Sequence, residues 1–306
     1  PTKLPKEIGN PTKLEYLYIG NSPIEELPST IENLTSCTLL EIYNCPRLKG
    51  LPPQVANMPA LVQVNISCNK GTAAEPGWDK DAIRNAVKYF ATGKSKETIQ
   101  MLYVRDNNLE EFPEEVKDMG HLGLLDLASN KISGEIPFLG ENFMPSEIYL
   151  EHNQITGFTT QPVKGRNLCF NTDNLETIDA SYNRLTKVPD IFTSNTPYYV
   201  SSANFAYNQI EEFENAHNGY QGINVTTFTL SGNRIKNYPS CLVESNSQIS
   251  YILLAGNGMT GFEENCFTCA EDDHLANLIS MDLTSNKLTK FPDEFHAGNL
   301  TYPYGV

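Results

Sequence analysis

The chain has 306 residues, of which 40% are hydrophobic and 19% are charged, and its formal net charge is −15. This composition is typical of a folded protein and excludes an intrinsically disordered one. The excess of acidic residues argues against nucleic acid or an anionic membrane surface as the partner, because both require a basic face. A cationic or neutral partner remains compatible with this charge. The longest apolar runs are only a few residues, so we expect no transmembrane segment in this chain.

Three irregular copies of one pattern open the chain. Each copy has two apolar residues two positions apart, and a polar residue or Cys stands three positions after the second. In chain order the pairs are Leu17 and Ile19, Leu40 and Ile42, and Val64 and Ile66. Ser22 and Cys45 hold the polar position in the first two copies, and Asn69 holds it in the third. Alternation of this kind predicts short strands with one buried face.

Residues 71–98 carry no copy of the pattern. Within them Asp79–Phe90 is predicted to be a helix, because its apolar residues recur at helical spacing. The residues that would share this apolar face are Ile83, Ala86, Val87 and Phe90. We interpret the segment as a long repeat with a helix on its outer side. The alternative is an insertion that contacts a partner around Trp78, the only tryptophan of the chain.

Eight regular copies follow, beginning with Leu102 and Val104, and each places Asn at the polar position. Successive asparagines from Asn107 onward lie 23, 23, 30, 25, 25, 24 and 29 residues apart. The amide of Asn carries both donors and an acceptor, so stacked copies would satisfy buried backbone groups of neighbouring turns. The asparagines predicted to form this ladder are Asn69, Asn107, Asn130, Asn153, Asn183, Asn208, Asn233, Asn257 and Asn286.

The eleven copies resemble the leucine-rich-repeat family over nearly the whole chain. Several copies end with an apolar residue and proline, as in Leu27-Pro28 and Phe112-Pro113, and Ile132–Pro137 is similar to the L-x-G-x-I-P variant of the repeat. The uneven repeat lengths and the many Tyr and Asn residues resemble secreted or surface proteins of Bacteroidetes.

This resemblance implies an α/β-type repeat solenoid. We expect a horseshoe with a concave parallel β-sheet and an irregular convex side that is partly helical or 3-10. Residues 1–306 are predicted to form a single domain of about eleven repeats. Since no polar cap is visible at either end, we expect the array to be truncated at both ends.

Side chains that point outward from the predicted strands would line the concave face. Tyr, Met, Leu and Arg are concentrated in the first six copies, and aromatic residues and Arg are favoured at binding hot spots. The alternative is that tyrosines only cover a sheet surface, for which their β-propensity suits them. The predicted partner-binding residues are Tyr16, Tyr18, Tyr43, Met101, Tyr103, Arg105, Tyr149, Glu151, His152, Tyr182 and Tyr207.

Cysteine chemistry offers one structural prediction. Cys241 and Cys266 would occupy neighbouring convex turns, so we predict a disulfide from Cys241 to Cys266 or to Cys269, with free thiols as the alternative. Cys266, Cys269 and His274 supply only three soft ligands, so we predict no metal site.

The sequence offers no catalytic motif and suggests no cofactor. Gly93-Lys94-Ser95 resembles the end of a P-loop, but Lys88 stands where its first glycine is required. There is no G-x-S-x-G and no H-E-x-x-H motif. The chain is therefore predicted not to be an enzyme.

The main functional hypothesis is a non-catalytic scaffold that binds a protein or glycan on its concave face. We expect it to be exported, as a bacterial cell-surface protein, an outer-membrane lipoprotein or a secreted protein. One alternative is the substrate-recognition array of a larger enzyme or effector, and another is a structural adhesin stalk. The oligomeric state is left open.

Overall fold

The computed structural model describes residues 2–192, 200–215, 223–243, 248–264, 266 and 278–292. The chain forms two compact units. The first comprises Pro1–Gly134 and Leu139–Asn153, and the second comprises Glu135–Phe138 and Gln154–Val306.

Each of the eleven copies contributes one short strand to a parallel sheet. The sheet order follows the chain order, so neighbouring strands come from successive copies. The strands of the first unit are β1 Tyr16–Gly20, β2 Leu39–Tyr43, β3 Gln63–Asn65, β4 Met101–Tyr103, β5 Leu124–Asp126 and β6 Glu147–Tyr149. Those of the second unit are β7 Thr177–Asp179, β8 Val200–Asn204, β9 Val225–Thr229, β10 Tyr251–Leu253 and β11 Ser280–Asp282. The predicted repeat fold with its parallel sheet is confirmed.

The strands place alternate residues in the core. Leu102 on β4 is fully buried, while Met101 and Tyr103 on either side of it are half-buried on the other sheet face. The parallel register aligns Tyr103 with Asp126 and Asp126 with Tyr149. Adjacent strands are about 4.8 Å apart, so equivalent side chains of successive copies lie in straight rows across this face.

The return segments of the first unit are built mainly from 3-10 helices. A proline directly precedes four of these helices, as Pro52 precedes Pro53–Asn57. The extended or near-extended backbone of the proline starts the turn. The 3-10 helices are Lys6–Gly9, Ser29–Asn33, Pro46–Leu48, Pro53–Asn57, Lys94–Glu97 and Glu114–Asp118.

In the second unit, short strand pairs replace most of these helices. Three of these pairs are Gln161–Val163 with Arg166–Leu168, Lys187–Val188 with Glu212–Phe213, and Asn237–Tyr238 with Gly261–Phe262. Ser133–Ile136, of which only the last two residues belong to this unit, also pairs with Gln154–Phe158, and one 3-10 helix covers Ser240–Val243.

The helix of the third copy, α1, occupies Lys80–Thr92 and buries the apolar face expected from its spacing. Asp79 caps it, because its side chain accepts a hydrogen bond from Ala82 N at 2.8 Å. Trp78 is fully buried, and its Nε1 donates to Cys45 O at 3.1 Å. Trp78 therefore anchors the segment to the repeat core and offers no surface to a partner.

The ladder asparagines hold successive turns together. Asn107 Nδ2 donates to Val104 O in its own copy and to Ile66 O in the preceding one, both at 3.0 Å. Its Oδ1 accepts from Asn69 N at 3.2 Å. Asn130 donates in the same way one copy later, and its Oδ1 accepts from Leu109 N at 3.0 Å. Each amide thus joins two copies by hydrogen bonds between buried groups.

The residue before the ladder position has a left-handed backbone in every copy, with φ between 49° and 71°. In most copies its N–H bonds to a carbonyl of the next copy, as in Asp106 N to Ala128 O at 3.0 Å. The residues in this position are Asn21, Asn44, Cys68, Asp106, Ser129, His152, Tyr182, Tyr207, Gly232, Gly256 and Ser285. His152, Tyr182 and Tyr207 therefore belong to the turn that follows each strand.

Within the described residues, no helix combines the length and the apolar character that crossing a membrane would require.

Candidate functional site

The predicted partner-binding residues fall into separate groups in the structure. Tyr16 and Tyr18 lie on β1 and are 57% and 62% exposed. Tyr18 is aligned with Glu41 on β2, and Glu41 with Asn65 on β3. Tyr103 on β4 continues the same row, so three strand spacings, about 14 Å, separate Tyr18 from Tyr103. The two tyrosines of β1 form a pair of their own.

A second group surrounds Arg105, and we call Tyr103, Arg105, Asp126, Glu147, Tyr149 and Glu151 the central cluster. Arg105 follows β4 and bonds to side chains of the next two copies. Its Nε lies 2.9 Å from Asp126 Oδ2, and its Nη2 lies 2.7 Å from Glu151 Oε1. Because both carboxylates are largely buried, these charge-assisted bonds hold the guanidinium in a fixed position.

Two tyrosines flank this ion-pair network. Tyr149 donates its hydroxyl proton to Glu147 Oε1 at 2.8 Å, and Tyr103 lies two strands away in the same row, with Asp126 between them. Met101, also predicted, lies beside Tyr103 on β4 and contacts its hydroxyl through the sulfur. The central cluster thus presents two aromatic side chains around a positioned arginine.

Burial and negative charge decide the protonation of these groups. Burial, the hydrogen bond to Glu147 and the nearby carboxylates raise the pKa of Tyr149 to about 12. Burial and the charges of Glu147 and Asp126 raise the pKa of Tyr103. Burial disfavours the charged form of Arg105, but its bonds to Glu151 and Asp126 outweigh this and raise its pKa. At neutral pH both tyrosines are therefore neutral donors, and Arg105 is charged.

The remaining predicted residues lie outside the central cluster. Tyr43, at the end of β2, is half-buried, and its pKa is raised by a hydrogen bond with Cys68 and by nearby charges. His152 is exposed in the turn after Glu151.

Tyr182 and Tyr207, in the second unit, stack on each other with ring centroids 4.7 Å apart and an angle of 17° between the planes. Both remain about half exposed. The Tyr207 ring covers Gly232, where a Cβ would collide with the ring. The two rings therefore stack because they occupy the same turn position in successive copies.

The predicted disulfide stays a prediction. Cys241 and Cys266 are both buried, and Cys266 Sγ lies 2.9 Å from Glu263 O and 3.1 Å from Tyr238 O. Cys269 lies outside the described residues. Across the described part of the chain, no group of three or more His, Cys, Asp or Glu side chains is arranged to hold a metal ion.

Asp126 and Glu147 are not among the predicted site residues, although Asp126 pairs with Arg105 and Glu147 accepts a hydrogen bond from the Tyr149 hydroxyl. Both occupy outward strand positions, so a comparison of successive copies in register would have placed them beside Tyr103 and Tyr149. Asp126 also has a structural role, because its Oδ1 accepts from Ala128 N at 3.1 Å.

Similarity to known proteins agrees with this architecture. A crystal structure of a leucine-rich repeat protein from Bacteroides eggerthii is 30% identical and superposes with a TM-score of 0.83, covering 98% of this chain and 51% of that one. The family profile described as Leucine Rich Repeat matches residues 174–195. The chain has the leucine-rich-repeat fold.

Two further relatives show how far the likeness extends. A leucine-rich repeat protein from Bacteroides thetaiotaomicron is 31% identical, with a TM-score of 0.82. The match covers 98% of this chain and 38% of that one. Disease resistance protein RPP4 of Arabidopsis thaliana is 37% identical over 60 residues, which is 20% of this chain and 5% of that protein. This leucine-rich-repeat chain spans about half the length of the first Bacteroides protein. Proteins with this fold are generally non-catalytic scaffolds that bind other proteins.

Proposed function

We propose that this leucine-rich-repeat chain is a non-catalytic scaffold that binds a protein partner through the exposed sheet face of its first unit. The observation that carries the proposal is the central cluster. It holds Arg105 between Asp126 and Glu151 and places Tyr103 and Tyr149 beside it. Aromatic residues and Arg, positioned before binding, are the side chains that contribute most at protein interfaces.

Charge restricts the class of partner. The central cluster contains three carboxylates and one guanidinium, so its formal charge is −2. A partner that presents Lys or Arg side chains would complement these carboxylates, and the tyrosine rings would accept cation–π contacts.

We further propose that the protein is exported and acts at a bacterial cell surface. The similarity to two Bacteroides leucine-rich repeat proteins supports this proposal. Brief protease treatment of intact cells of the source bacterium is expected to degrade the protein while a cytoplasmic marker survives. Protection equal to that of the marker would contradict a surface location.

The double variant Tyr103→Ala/Tyr149→Ala tests the binding site. Wild type and variant would be immobilised and exposed to an envelope fraction of the source bacterium and to a mucosal extract, and captured proteins would be quantified by mass spectrometry. Since hot-spot truncations cost about 2 kcal/mol or more, at least one captured protein is expected to fall by more than about tenfold.

Tyr89→Ala is the matched control, because Tyr89 is also half-buried but lies on α1. Circular dichroism would verify that both variants fold. Identical captured proteins for all three forms would reject the central cluster as the binding site. If no protein is captured by the wild type, the structural stalk becomes the better proposal.

A further inference from the structure

The first unit also has a recessed surface, which shares no residue with the central cluster. It is a cleft of about 420 Å³ along the turns that follow the first strands. One wall is formed by the turn residues Asn21 and Asn44 with Pro23 and Pro46, and the loop of residues 70–76 closes the other. Its volume falls in the range of about 300–1,000 Å³ typical of small-molecule sites.

The loop that closes the cleft is held in one conformation. Gly71 has φ +73° and forms an antiparallel bridge with Pro76. Gly77 N donates to Lys70 O at 2.9 Å, and a Cβ at Gly77 would overlap the carbonyl of Asn69. The buried Trp78 then fastens the end of the loop to the core. The wall of the cleft therefore exists before any ligand arrives.

The polar groups of the cleft are arranged in pairs. Asn44 Nδ2 donates to Asn21 Oδ1 at 2.7 Å. Arg47 forms an ion pair with Glu75, and Lys70 Nζ lies 2.5 Å from Asp106 Oδ1. All four charged side chains remain about one third to one half exposed, so they are accessible from the cleft.

This chemistry selects the class of ligand. Two cations balance two anions, so no charge is left over to attract a phosphate, a nucleotide or a polyamine. Each pair places a donor beside an acceptor, which suits hydroxyl groups because each of them donates and accepts. Pro23 and Pro46 add small apolar surfaces that would contact the C–H face of a sugar ring. We propose that the cleft binds a neutral oligosaccharide.

A peptide is a poorer fit to these walls. Extended peptides are commonly recognised by pairing with the edge of a strand. The cleft is instead lined by turn and loop residues beyond the ends of β1, β2 and β3, and Asn21 N and Asn44 N already bond to Tyr43 O and Ser67 O. No strand edge is presented to an incoming chain at this place.

The test uses the whole chain and ligand-observed saturation-transfer NMR. The probes are maltotriose, mannotriose and N,N′,N″-triacetylchitotriose, with tetraalanine as the peptide probe. At least one trisaccharide is expected to receive saturation, and tetraalanine none. The double variant Asn21→Gly/Asn44→Gly removes both amides, while glycine adopts the left-handed turn without strain. Loss of these bonds is expected to weaken binding about tenfold.

Ser129→Gly is the matched control, since Ser129 occupies the same turn position with φ 55° but lies outside the cleft. It is expected to bind as the wild type does. The single variants Asn21→Gly and Asn44→Gly keep the test valid if the double variant unfolds. The proposal is overturned if no trisaccharide receives saturation, if the variants and wild type bind equally, or if tetraalanine is the probe that binds.

Discussion

Asn107 shows how one amide stabilises two copies of the repeat. It is 2% exposed, and its side chain bonds to the carbonyls of Val104 and Ile66 and to the N–H of Asn69. A buried group that loses its partner bears the full cost of desolvation.

Asn107→Ala is therefore expected to lower the free energy of unfolding by about 3 kcal/mol, since several buried groups lose their partner. Urea unfolding followed by circular dichroism would measure the change. Asn57→Ala is the control, because Asn57 makes one exposed hydrogen bond with Glu32, and it should cost under about 0.5 kcal/mol. Equal effects of the two substitutions would show that the ladder contributes no special stability.

The turn residues illustrate a second constraint on single residues. His152, Tyr182 and Tyr207 have φ of 57°, 54° and 56°, a conformation that costs an L-residue about 1–2 kcal/mol. Two other copies place Gly232 and Gly256 in this position. Aromatic side chains are thus tolerated here without being required by the fold. The stack of Tyr182 on Tyr207 leaves ring edges exposed for contact.

At the scale of elements, α1 is attached to its surroundings at its N-terminal end and on its side. Asp79 caps its first turn, the buried Trp78 precedes it, and Arg84 pairs with Glu115 at 2.5 Å on the 3-10 helix Glu114–Asp118. These contacts explain how the longest repeat stays in register with its neighbours.

Asp79→Ala removes the cap and is expected to destabilise the first unit by about 1 kcal/mol. Asp81→Ala is the control, because Asp81 lies in the same first turn and interacts mainly with the helix dipole, an effect of about 0.3–1 kcal/mol. Hydrogen exchange of the α1 amides would localise the effect. Faster exchange in Asp81→Ala than in Asp79→Ala would contradict the assignment of Asp79 as the cap.

At the scale of the whole molecule, net charge decides which partners are accessible. The chain carries 37 acidic and 22 basic side chains. The resulting negative electrostatic potential repels polyanions at long range and attracts cationic partners, and salt weakens both effects.

The protein is therefore expected to pass through immobilised heparin without retention at about 50 mM salt, where electrostatic attraction would be strong. It should bind an anion exchanger at pH 7 under the same conditions, which serves as the positive control. Retention on heparin beyond about 200 mM salt would reveal a basic surface and would contradict the predicted absence of polyanion binding.

The sequence by itself determined the repeat, its strands and the position of the asparagines, because all of these recur locally every 23 to 38 residues. It also determined which residues point outward, since side chains alternate along each strand.

Only the tertiary structure decided which outward residues meet. The register of parallel strands places Asp126 between Tyr103 and Tyr149, and Arg105 reaches Glu151 across 46 positions in sequence. The cleft likewise depends on the loop of residues 70–76, which has no repeat pattern and closes on turns from other copies. Contacts between distant copies depend on stacking distances and loop conformation, and neither is encoded in the local pattern of residues.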